Sequence, residues 1–284
     1  MTLKEALNRA TSALAAHHIS DASHDIQLLL RHVLQITQAQ LYLQLEEELA
    51  PPEWERFSSL LERRLQHEPV AYLVCHQEFF GLDFYVDRRV LIPRPETELL
   101  VEMTLDFARS HSAGRPLIIA DIGTGSGAIA ISLATNLINA RICATDLSIQ
   151  ALEVAAINRA RHGVDDRVVL LAGNLLEPLP ETADLIVANL PYVSAIELQR
   201  TGPELAFEPS VALAGGPDGL ESIRLLLHQA HELRQPRRCL LLEIGQGQSE
   251  EVLRLARNHF PEADIQAHRD PGGIERVVGI AFPG

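Results

Sequence analysis

Four consecutive residues, Asn189-Leu190-Pro191-Tyr192, carry the groups best suited to chemistry, and they directly follow the apolar run 183–188. The side-chain oxygen of Asn189 and a neighbouring backbone carbonyl can accept the two N–H groups of a planar amide, on which Tyr192 can stack. Such a nitrogen is a poor nucleophile because its lone pair is delocalised into the carbonyl. Two fixed acceptors would aim it at an activated methyl group and stabilise the positive charge that develops on it. The pattern predicts methyl transfer to a planar amide nitrogen.

The same tetrapeptide is also compatible with a simple turn at the end of a strand, because Asn and Pro are frequent turn residues. Its position after the fourth strand of a domain that also carries a glycine-rich loop favours the catalytic interpretation. We therefore expect Asn189, Pro191 and Tyr192 to be catalytic, and all four residues, Leu190 included, to bind the substrate.

The glycine-rich loop is Asp121-Ile122-Gly123-Thr124-Gly125-Ser126-Gly127-Ala128, which follows another apolar run. Its glycines permit positive φ angles and close approach of a ligand to the backbone, and a helix starting near Ser126 would offer free N–H groups. Gly123, Gly125 and Ala128 also satisfy the G-x-G-x-x-G/A dinucleotide fingerprint. The loop alone therefore leaves S-adenosylmethionine and a nicotinamide dinucleotide as alternatives.

Two neighbouring features favour the methyl donor. Asp121 immediately precedes the loop, where a second anion disfavours a pyrophosphate but is compatible with the zwitterionic methionine end of S-adenosylmethionine. Asn174, after the third strand, places an amide where an adenine amino group can be recognised. Asp146, at the end of the second strand, could bind the ribose hydroxyls of either cofactor. The predicted cofactor is S-adenosyl-L-methionine.

Both motifs must be positioned by a parallel sheet. Short apolar runs alternate with helical segments, which predicts strands joined by crossovers in a three-layer α/β sandwich. Ligands of such sheets bind beyond the carboxyl ends of the strands, where both motifs lie. The predicted strands are residues 117–122, 141–145, 167–172, 183–188, 239–244, 263–267 and 276–281.

The beginning of the chain has a different pattern. Apolar residues recur at helical spacing, as in Leu3, Leu7, Ala10 and Leu14, which predicts a small helical domain over residues 1–75. Residues 77–92 change to aromatic and β-branched residues around turn signals, which is typical of a β-hairpin. We expect a hairpin linker over 76–93 and an α/β domain over 94–284.

Composition limits the functions that are compatible with the chain. Its 284 residues include 24 positive and 38 acidic side chains, a formal charge of −14. This balance argues against direct nucleic-acid binding through phosphates and favours a basic protein partner. The cysteines and histidines lack metal-ligand spacing, so no metal is predicted. With no apolar signal segment and no run of about 18 apolar residues, we expect a cytoplasmic protein without membrane association.

Taken together, these segments resemble the PrmC/HemK protein-(glutamine-N5) methyltransferases, which modify bacterial peptide chain release factors. The segment Arg94-Pro95-Glu96-Thr97-Glu98 makes the resemblance more specific than a general methyltransferase match. The similarity runs through nearly the whole chain and covers residues 68–72, 78–82, 91–98, 121–127, 208–209, 215–220 and 243–245.

The resemblance implies a class I, Rossmann-like S-adenosylmethionine-dependent methyltransferase domain, preceded by a helical domain that helps dock the release factor. The substrate would be the glutamine of the release factor's Gly-Gly-Gln motif, held by residues 189–192, and a monomer would leave the concave site free for this large partner. The residues expected to contact the cofactor are Asp121, Gly123, Thr124, Gly125, Ser126, Gly127, Asp146, Asn174, Leu175 and Asn189.

The chain departs from the family pattern at two positions. Leu190 stands where the family has Pro, and in the family that position contributes its backbone carbonyl as the second acceptor. Because Pro191 follows, Leu190 is still pushed toward the extended region, so we expect retained activity with a slightly less rigid loop. Asn174 stands where members commonly carry Asp, which affects only the adenine contact.

Three other functions remain as alternatives. An N6-adenine nucleic-acid methyltransferase would have to flip out a base and hold phosphates, which the acidic charge and the 94–98 segment oppose. A nicotinamide-dependent oxidoreductase rests on Gly123, Gly125 and Ala128 alone. A non-catalytic adaptor would bind the cofactor without turnover, which the intact Asn189 and Tyr192 oppose.

Overall fold

The computed structural model describes residues 1–111 and 116–283. It divides into two compact units, one formed by Met1–His76 with Gly202–Phe207, the other by Gln77–Thr201 with the residues from Glu208 onward. The helical segment therefore ends close to the expected residue 75. The hairpin, expected to be a separate linker, is grouped with the larger unit.

The smaller unit is helical, as its apolar spacing predicts. Leu3, Ala10 and Leu14 are buried, and they pack in one core with Ile26 and Phe57. Thr2 begins the first helix with a capping box, in which the Thr2 hydroxyl accepts from the Glu5 N–H and the Glu5 carboxylate accepts from the Thr2 N–H. The helices are α1 (Leu3–Ala16), α2 (Ala22–Leu34), α3 (Gln38–Leu43), α4 (Pro51–Leu65) and α5 (Val70–Val74).

An ionic cluster attaches residues 202–207 to this unit. The guanidinium of Arg64, which is 3% exposed, donates to Asp25 at 2.7 Å and to Glu204 at 2.5 Å. Burial raises the pKa of Asp25, and the hydrogen bond from Arg64 opposes that rise. Removing one member of such a buried set leaves an unpaired charge, which costs about 3–5 kcal/mol. The cluster therefore fixes residues 202–207 within the helical unit.

The larger unit begins with the hairpin β1 (Gln77–Phe79) and β2 (Leu82–Phe84), and a 3-10 turn at Pro95–Thr97 leads into α6 (Glu98–His111). The alternation that follows is β3 (Ile118–Ile122), α7 (Ala128–Asn136), β4 (Arg141–Asp146), α8 (Ile149–Arg161), β5 (Val168–Ala172), β6 (Leu185–Ala188), α9 (Ala195–Leu198), α10 (Ser210–Leu213), α11 (Glu221–Glu232), β7 (Cys239–Glu243), α12 (Ser249–His259), β8 (Asp264–Arg269) and β9 (Glu275–Ala281).

Within the described residues, β3 to β9 form one sheet of seven strands in the order β5-β4-β3-β6-β7-β9-β8. All the predicted strands are confirmed, with small shifts at their ends. The parallel prediction is confirmed from β3 to β7 but is wrong for β9, which runs antiparallel to β7 and β8. Only residues 270–274 separate β8 from β9, and a parallel pairing needs a crossover of a dozen or more residues.

The centre of the sheet positions the two motifs side by side. Strand β3 lies between β4 and β6, with Ile122 opposite both Thr145 and Ala188. Successive residues of β6 are buried although their side chains alternate between faces, so both faces of the sheet are covered. The glycine-rich loop after β3 and the tetrapeptide after β6 therefore emerge from adjacent strands at the same edge.

In the described ranges, no helix combines the length and the apolar character needed to span a membrane. Nor does any group of three or more His, Cys, Asp or Glu side chains among these residues form a site for a metal ion.

Candidate active site

The glycine-rich loop has the backbone conformation that its glycines permit. Gly123, Gly125 and Gly127 have φ angles of +75°, +56° and +82°. In this left-handed region a residue with a side chain would be strained. A Cβ on Gly127 would stand 2.9 Å from Ile131 Cδ1 of α7, so there is no room for a side chain at this position. A Cβ on Gly125 would meet nothing within 4 Å. The N–H groups of Gly123 and Thr124 both donate to the Thr145 carbonyl at 2.9 Å. The open side of the loop is therefore at Gly125.

Two carboxylates support this loop in different ways. Asp121 is fully buried beneath it, accepting from Thr124 Oγ1 at 2.6 Å and from the Ala130 N–H at 3.1 Å. Burial raises the pKa of Asp121 to about 7. Asp146 accepts from the Gly125 N–H and from the Ser148 N–H, both at 2.8 Å, and burial also raises its pKa. Asp121 is buried and accepts from the loop's own Thr124 and from Ala130, so its predicted direct contact with the cofactor is weakened.

The turn after β5 contributes a strained residue. Leu175 has a φ of +52°, which is unusual for a bulky side chain and costs on the order of 1–3 kcal/mol. Its carbonyl accepts from Thr145 Oγ1 at 3.0 Å, and Asn174 Nδ2 contacts Glu177 Oε1 at 3.3 Å. The end of β4 thus holds the turn that carries Asn174 and Leu175, both of which are expected to contact the cofactor.

These loops line one cavity of about 470 Å³ at the carboxyl edge of the sheet, a size typical of small-molecule sites. Of the residues predicted to bind cofactor or substrate, the cavity brings together Gly123, Gly125, Asp146, Asn174, Leu175, Asn189, Leu190 and Pro191. The other predicted residues, which do not line it, are Asp121, Thr124, Ser126, Gly127 and Tyr192. The cavity is also lined by residues that sequence reasoning did not assign to the site, among them Arg89, Val90, Leu91, Pro209, Val211, Ala212, Ala214, Glu221, Ser222 and Leu225.

Side chains from distant segments hold the tetrapeptide. Asn189 Nδ2 donates to Thr97 Oγ1 at 3.0 Å. Burial raises the pKa of the Glu243 carboxyl to about 7, and the Thr97 and Tyr192 hydroxyls oppose that rise. Burial also raises the pKa of Tyr192 to about 12, with a smaller rise due to Glu243, so its phenol is protonated at neutral pH.

The backbone of the tetrapeptide is fixed by close approach of other glycines. A Cβ on Gly215 would stand 2.7 Å from the Pro191 carbonyl oxygen, and one on Gly219 would collide with the Tyr192 carbonyl oxygen. The same Tyr192 carbonyl accepts from Gln248 Nε2 at 3.0 Å. The segments 215–220 and 243–248 therefore hold the tetrapeptide in place.

Leu190 directs its side chain into the protein. It is 4% exposed, and a Cβ on Gly123 would stand 3.2 Å from its Cδ2. The leucine thus packs against the glycine-rich loop and joins the two motifs, a contact that sequence reasoning did not foresee.

The segment 94–98 ties together three parts of the larger unit. Arg94 forms an ion pair with Glu208, whose other oxygen accepts from the Ile92 N–H at 3.2 Å. Thr97 contacts Asn189, and Glu98 accepts from the Phe80 N–H of the hairpin at 2.9 Å. The sequence singled out this segment without assigning it a structural role. In the structure it contacts the tetrapeptide through Thr97 and the segment that begins at Glu208 through Arg94.

Comparison with known proteins gives two family models on this chain. A PrmC N-terminal domain model matches residues 5–74, and a model described as ribosomal protein L11 methyltransferase (PrmA) matches residues 97–201. Among solved structures, the hMettl16 catalytic domain in complex with a MAT2A 3'UTR hairpin has a TM-score of 0.59 at 16% identity, covering 89% of this chain and 88% of that one. A methyltransferase from Pyrococcus furiosus has a TM-score of 0.51 at 19% identity, covering 79% and 98%. The predicted class I methyltransferase fold is confirmed.

Curated relatives are similar over almost the entire chain. The release factor glutamine methyltransferase of Moorella thermoacetica is 44% identical, covering 97% of this chain and 97% of its own. That of Geobacter sulfurreducens is 39% identical over 98% and 96%, and that of Bacillus cereus is 33% identical over 98% and 98%. The resemblance inferred from the motifs is thereby confirmed, and the chain belongs to the release factor glutamine methyltransferase family.

Proposed function

We propose that this protein transfers a methyl group from S-adenosyl-L-methionine to the side-chain amide nitrogen of the glutamine in the Gly-Gly-Gln motif of peptide chain release factors. The observation that carries the proposal is the orientation of Asn189. Its Nδ2 is engaged by Thr97, which leaves Oδ1 as an acceptor for a substrate N–H in a cavity that also contains the glycine-rich loop. Membership of the family supports glutamine as the acceptor.

The residues around the loop fit S-adenosylmethionine. Gly125 leaves open space where a side chain would stand, and the Asp146 carboxylate lines the same cavity. When bound, the cofactor supplies an activated methyl group. Asp146 would hold ribose hydroxyls, and Asn174 with the strained Leu175 would lie along the adenine. Four of the predicted residues do not line the cavity and would instead support the loop: Asp121, Thr124, Ser126 and Gly127.

The tetrapeptide would bind the glutamine side chain and orient its nitrogen. Asn189 Oδ1 accepts one N–H, and the Leu190 carbonyl accepts the other. Pro191 keeps the preceding residue extended, which holds that carbonyl in place. With both N–H groups engaged, the nitrogen is aligned and its developing positive charge is stabilised without a strong base. Stacking of Tyr192 on the amide remains part of the proposal.

The helical unit would dock the release factor. Tyr42 and Leu43 of α3 are 52% and 85% exposed, which provides adjacent apolar side chains for a protein partner. The formal charge of −14 suits a basic partner better than a phosphate backbone. We retain residues 1–75, 76–93 and 94–284 as the docking domain, hairpin linker and catalytic domain, in a cytoplasmic monomer that does not bind nucleic acid directly. N6-adenine methylation is not favoured, because the near full-length relatives are glutamine methyltransferases.

Substitution of Asn189 tests the proposal. Asn189→Ala removes one of two acceptors, so its methyl transfer to a purified release factor should fall roughly 100- to 1000-fold. Calorimetry should show binding of S-adenosylmethionine, and not of NAD, by both proteins. A matched release factor whose motif glutamine is replaced by alanine should accept no label. Label on that control, or unchanged activity of Asn189→Ala, would refute the proposal.

A further inference from the structure

The side-chain amide of Asn158, on α8, is fully buried and bonds to three backbone groups. Its Oδ1 accepts from the Tyr85 N–H at 2.7 Å, and its Nδ2 donates to the Tyr85 carbonyl at 2.9 Å. Nδ2 also donates to the Ser126 carbonyl at 2.8 Å. A backbone N–H can only donate and a carbonyl can only accept, so these partners allow one orientation of the amide. One side chain thus holds both the glycine-rich loop and the residue that follows β2.

The chain from β2 to residue 91 runs along α8 toward the cavity. Its contacts with the helix and the cap that ends it, in order, are Asp83 with His162, Tyr85 with Asn158, and Arg89 with Glu153. Arg89, Val90 and Leu91 then line the cavity, as do Ser148 and Ala151 at the start of α8. The helix therefore leads the segment 85–91 from the hairpin to the wall of the cavity.

The two parts of the chain that Asn158 holds both form walls of this cavity. Gly123 and Gly125 of the glycine-rich loop line it, and so do residues 89–91. A site whose walls are ordered in advance binds its ligand more tightly, because less ordering is left to oppose binding. Since one amide fixes both walls, its loss should loosen both of them at once.

We propose that Asn158 is a positioning residue for cofactor binding, because its amide orders the glycine-rich loop and the segment 85–91 together. The inference rests on the proposed function in one respect, namely that the cavity binds S-adenosylmethionine. Asn158 does not touch the cofactor in this account. The hairpin also gains a task, since β2 leads into a wall of the cofactor site, and this agrees with its place in the larger unit.

Substitution of Asn158 tests the inference through cofactor affinity. Asn158→Ala removes all three hydrogen bonds, and alanine is the residue best suited to a helix. We expect calorimetry to show binding of S-adenosylmethionine weakened about 10-fold, since both walls must then be ordered during binding. The KM for the cofactor should rise by a similar factor while kcat on a release factor stays within about twofold, because the lost binding is common to the ground state and the transition state.

Asn136→Ala is the matched control. Asn136 is the last residue of α7, the helix that follows the glycine-rich loop, and its Nδ2 donates within that helix, to the Ser132 carbonyl at 2.9 Å. Its substitution should leave the affinity for S-adenosylmethionine unchanged. Thermal unfolding shows which variants are folded. Equal weakening in the two variants, or wild-type affinity in folded Asn158→Ala, would overturn the inference.

Hydrogen exchange keeps the inference testable even if Asn158→Ala does not fold. In the wild type, saturating S-adenosylmethionine should slow backbone exchange in peptides that cover residues 123–127 and in those that cover 85–91. Protection confined to residues 123–127 would contradict the inference. In folded Asn158→Ala without cofactor, both sets of peptides should exchange faster than in the wild type, and in Asn136→Ala they should not. A wild type that binds no S-adenosylmethionine, or leaves the release factor unmethylated, would instead refute the proposed function, and exchange without cofactor would still decide whether Asn158 orders both walls.

Discussion

The glycine-rich loop and the tetrapeptide emerge from adjacent strands, yet they are held in opposite ways. The loop is fixed by partners close in sequence: Asp121 and Thr124 are 3 residues apart, and Gly125 and Asp146 are 21 apart. The tetrapeptide is fixed by distant ones, since Asn189 and Thr97 are 92 residues apart and Tyr192 and Gln248 are 56 apart. The glycine-rich loop is therefore held by contacts close in sequence, and the tetrapeptide is held by contacts that the fold brings together.

This difference predicts which substitutions separate the two activities. Changes within the loop should affect binding of S-adenosylmethionine and leave the aligned acceptors intact. Changes at residues that are distant in sequence but contact the tetrapeptide should lower kcat while the cofactor still binds.

Among substitutions outside the tetrapeptide, the largest effect is expected from Gly219→Ala. The new Cβ would collide with the Tyr192 carbonyl, a backbone atom that cannot move without the tetrapeptide, and the φ of +80° adds strain. A displacement of about 1 Å can lower the rate of transfer about 100-fold. Steady-state kinetics should show this loss in kcat, with an unchanged dissociation constant for S-adenosylmethionine in calorimetry.

Gly247→Ala is the matched control for that variant. Gly247 has a similar φ of +85°, and a Cβ there would meet nothing within 4 Å. Equal losses in both variants would indicate backbone strain rather than displacement of Tyr192.

A smaller effect, on the other motif, is expected from Gly127→Ala. A Cβ there would meet Ile131 and Ala155 at 2.9 Å and 3.3 Å, and the φ is +82°. Strain of about 1–3 kcal/mol should weaken binding of S-adenosylmethionine roughly tenfold or more. At saturating cofactor, kcat should stay close to wild type. Gly163→Ala, at a φ of +63° with open space around it, is the control, and a loss of kcat without loss of cofactor affinity would contradict the separation of the two sites.

Two buried carboxyls, Asp121 before the glycine-rich loop and Glu243 at the end of β7, have ionisations that oppose folding. Burial raises the pKa of both Asp121 and Glu243 to about 7, from ordinary values of 3.8 and 4.5. The folded protein therefore holds more protons than the unfolded chain between these values, so each group lowers stability as the pH rises toward 7, with no further change above it. Relative to wild type, the melting temperatures of Asp121→Asn and Glu243→Gln should rise over this window by several degrees and then level off. A difference from wild type that does not vary with pH would contradict the shifted pKa values.

The smallest effect is expected from Leu190→Pro. Leu190 is expected to supply a backbone carbonyl, which proline supplies equally well, so kcat should change less than about threefold. The Leu190 side chain is 4% exposed and contacts Gly123, so the melting temperature should fall modestly. If the wild type were inactive on release factors and Leu190→Pro were active, this position would need the proline ring.

Sequence patterns were sufficient to predict the features that depend on residues close together in the chain. The apolar runs predicted every strand of the sheet, and the glycines of residues 123–127 predicted a ligand loop whose positive φ angles the structure shows. The direction of β9 was missed because short apolar runs do not reveal which neighbour they pair with. The turn at 270–274 was the available signal, since so short a connection requires antiparallel pairing.

The contacts that hold the tetrapeptide had no comparable signal. Nothing in the types of Thr97, Glu243 or Gln248 indicates that they meet residues 189–192. Asp121 looked like a ligand because it precedes the loop, but its burial and its bond to Thr124 place it in the support of the loop. Contacts of this kind depend on the register of the sheet and on loop paths, which only the folded structure reveals.

The most direct test of glutamine methylation is to locate the transferred methyl group. Purified wild-type protein is incubated with S-adenosylmethionine and an unmodified release factor, and the product peptides are sequenced by mass spectrometry. We predict one added methyl group, on the side-chain nitrogen of the glutamine in the Gly-Gly-Gln motif. A methyl group on another residue, or transfer only to adenine in an added nucleic acid, would contradict this account.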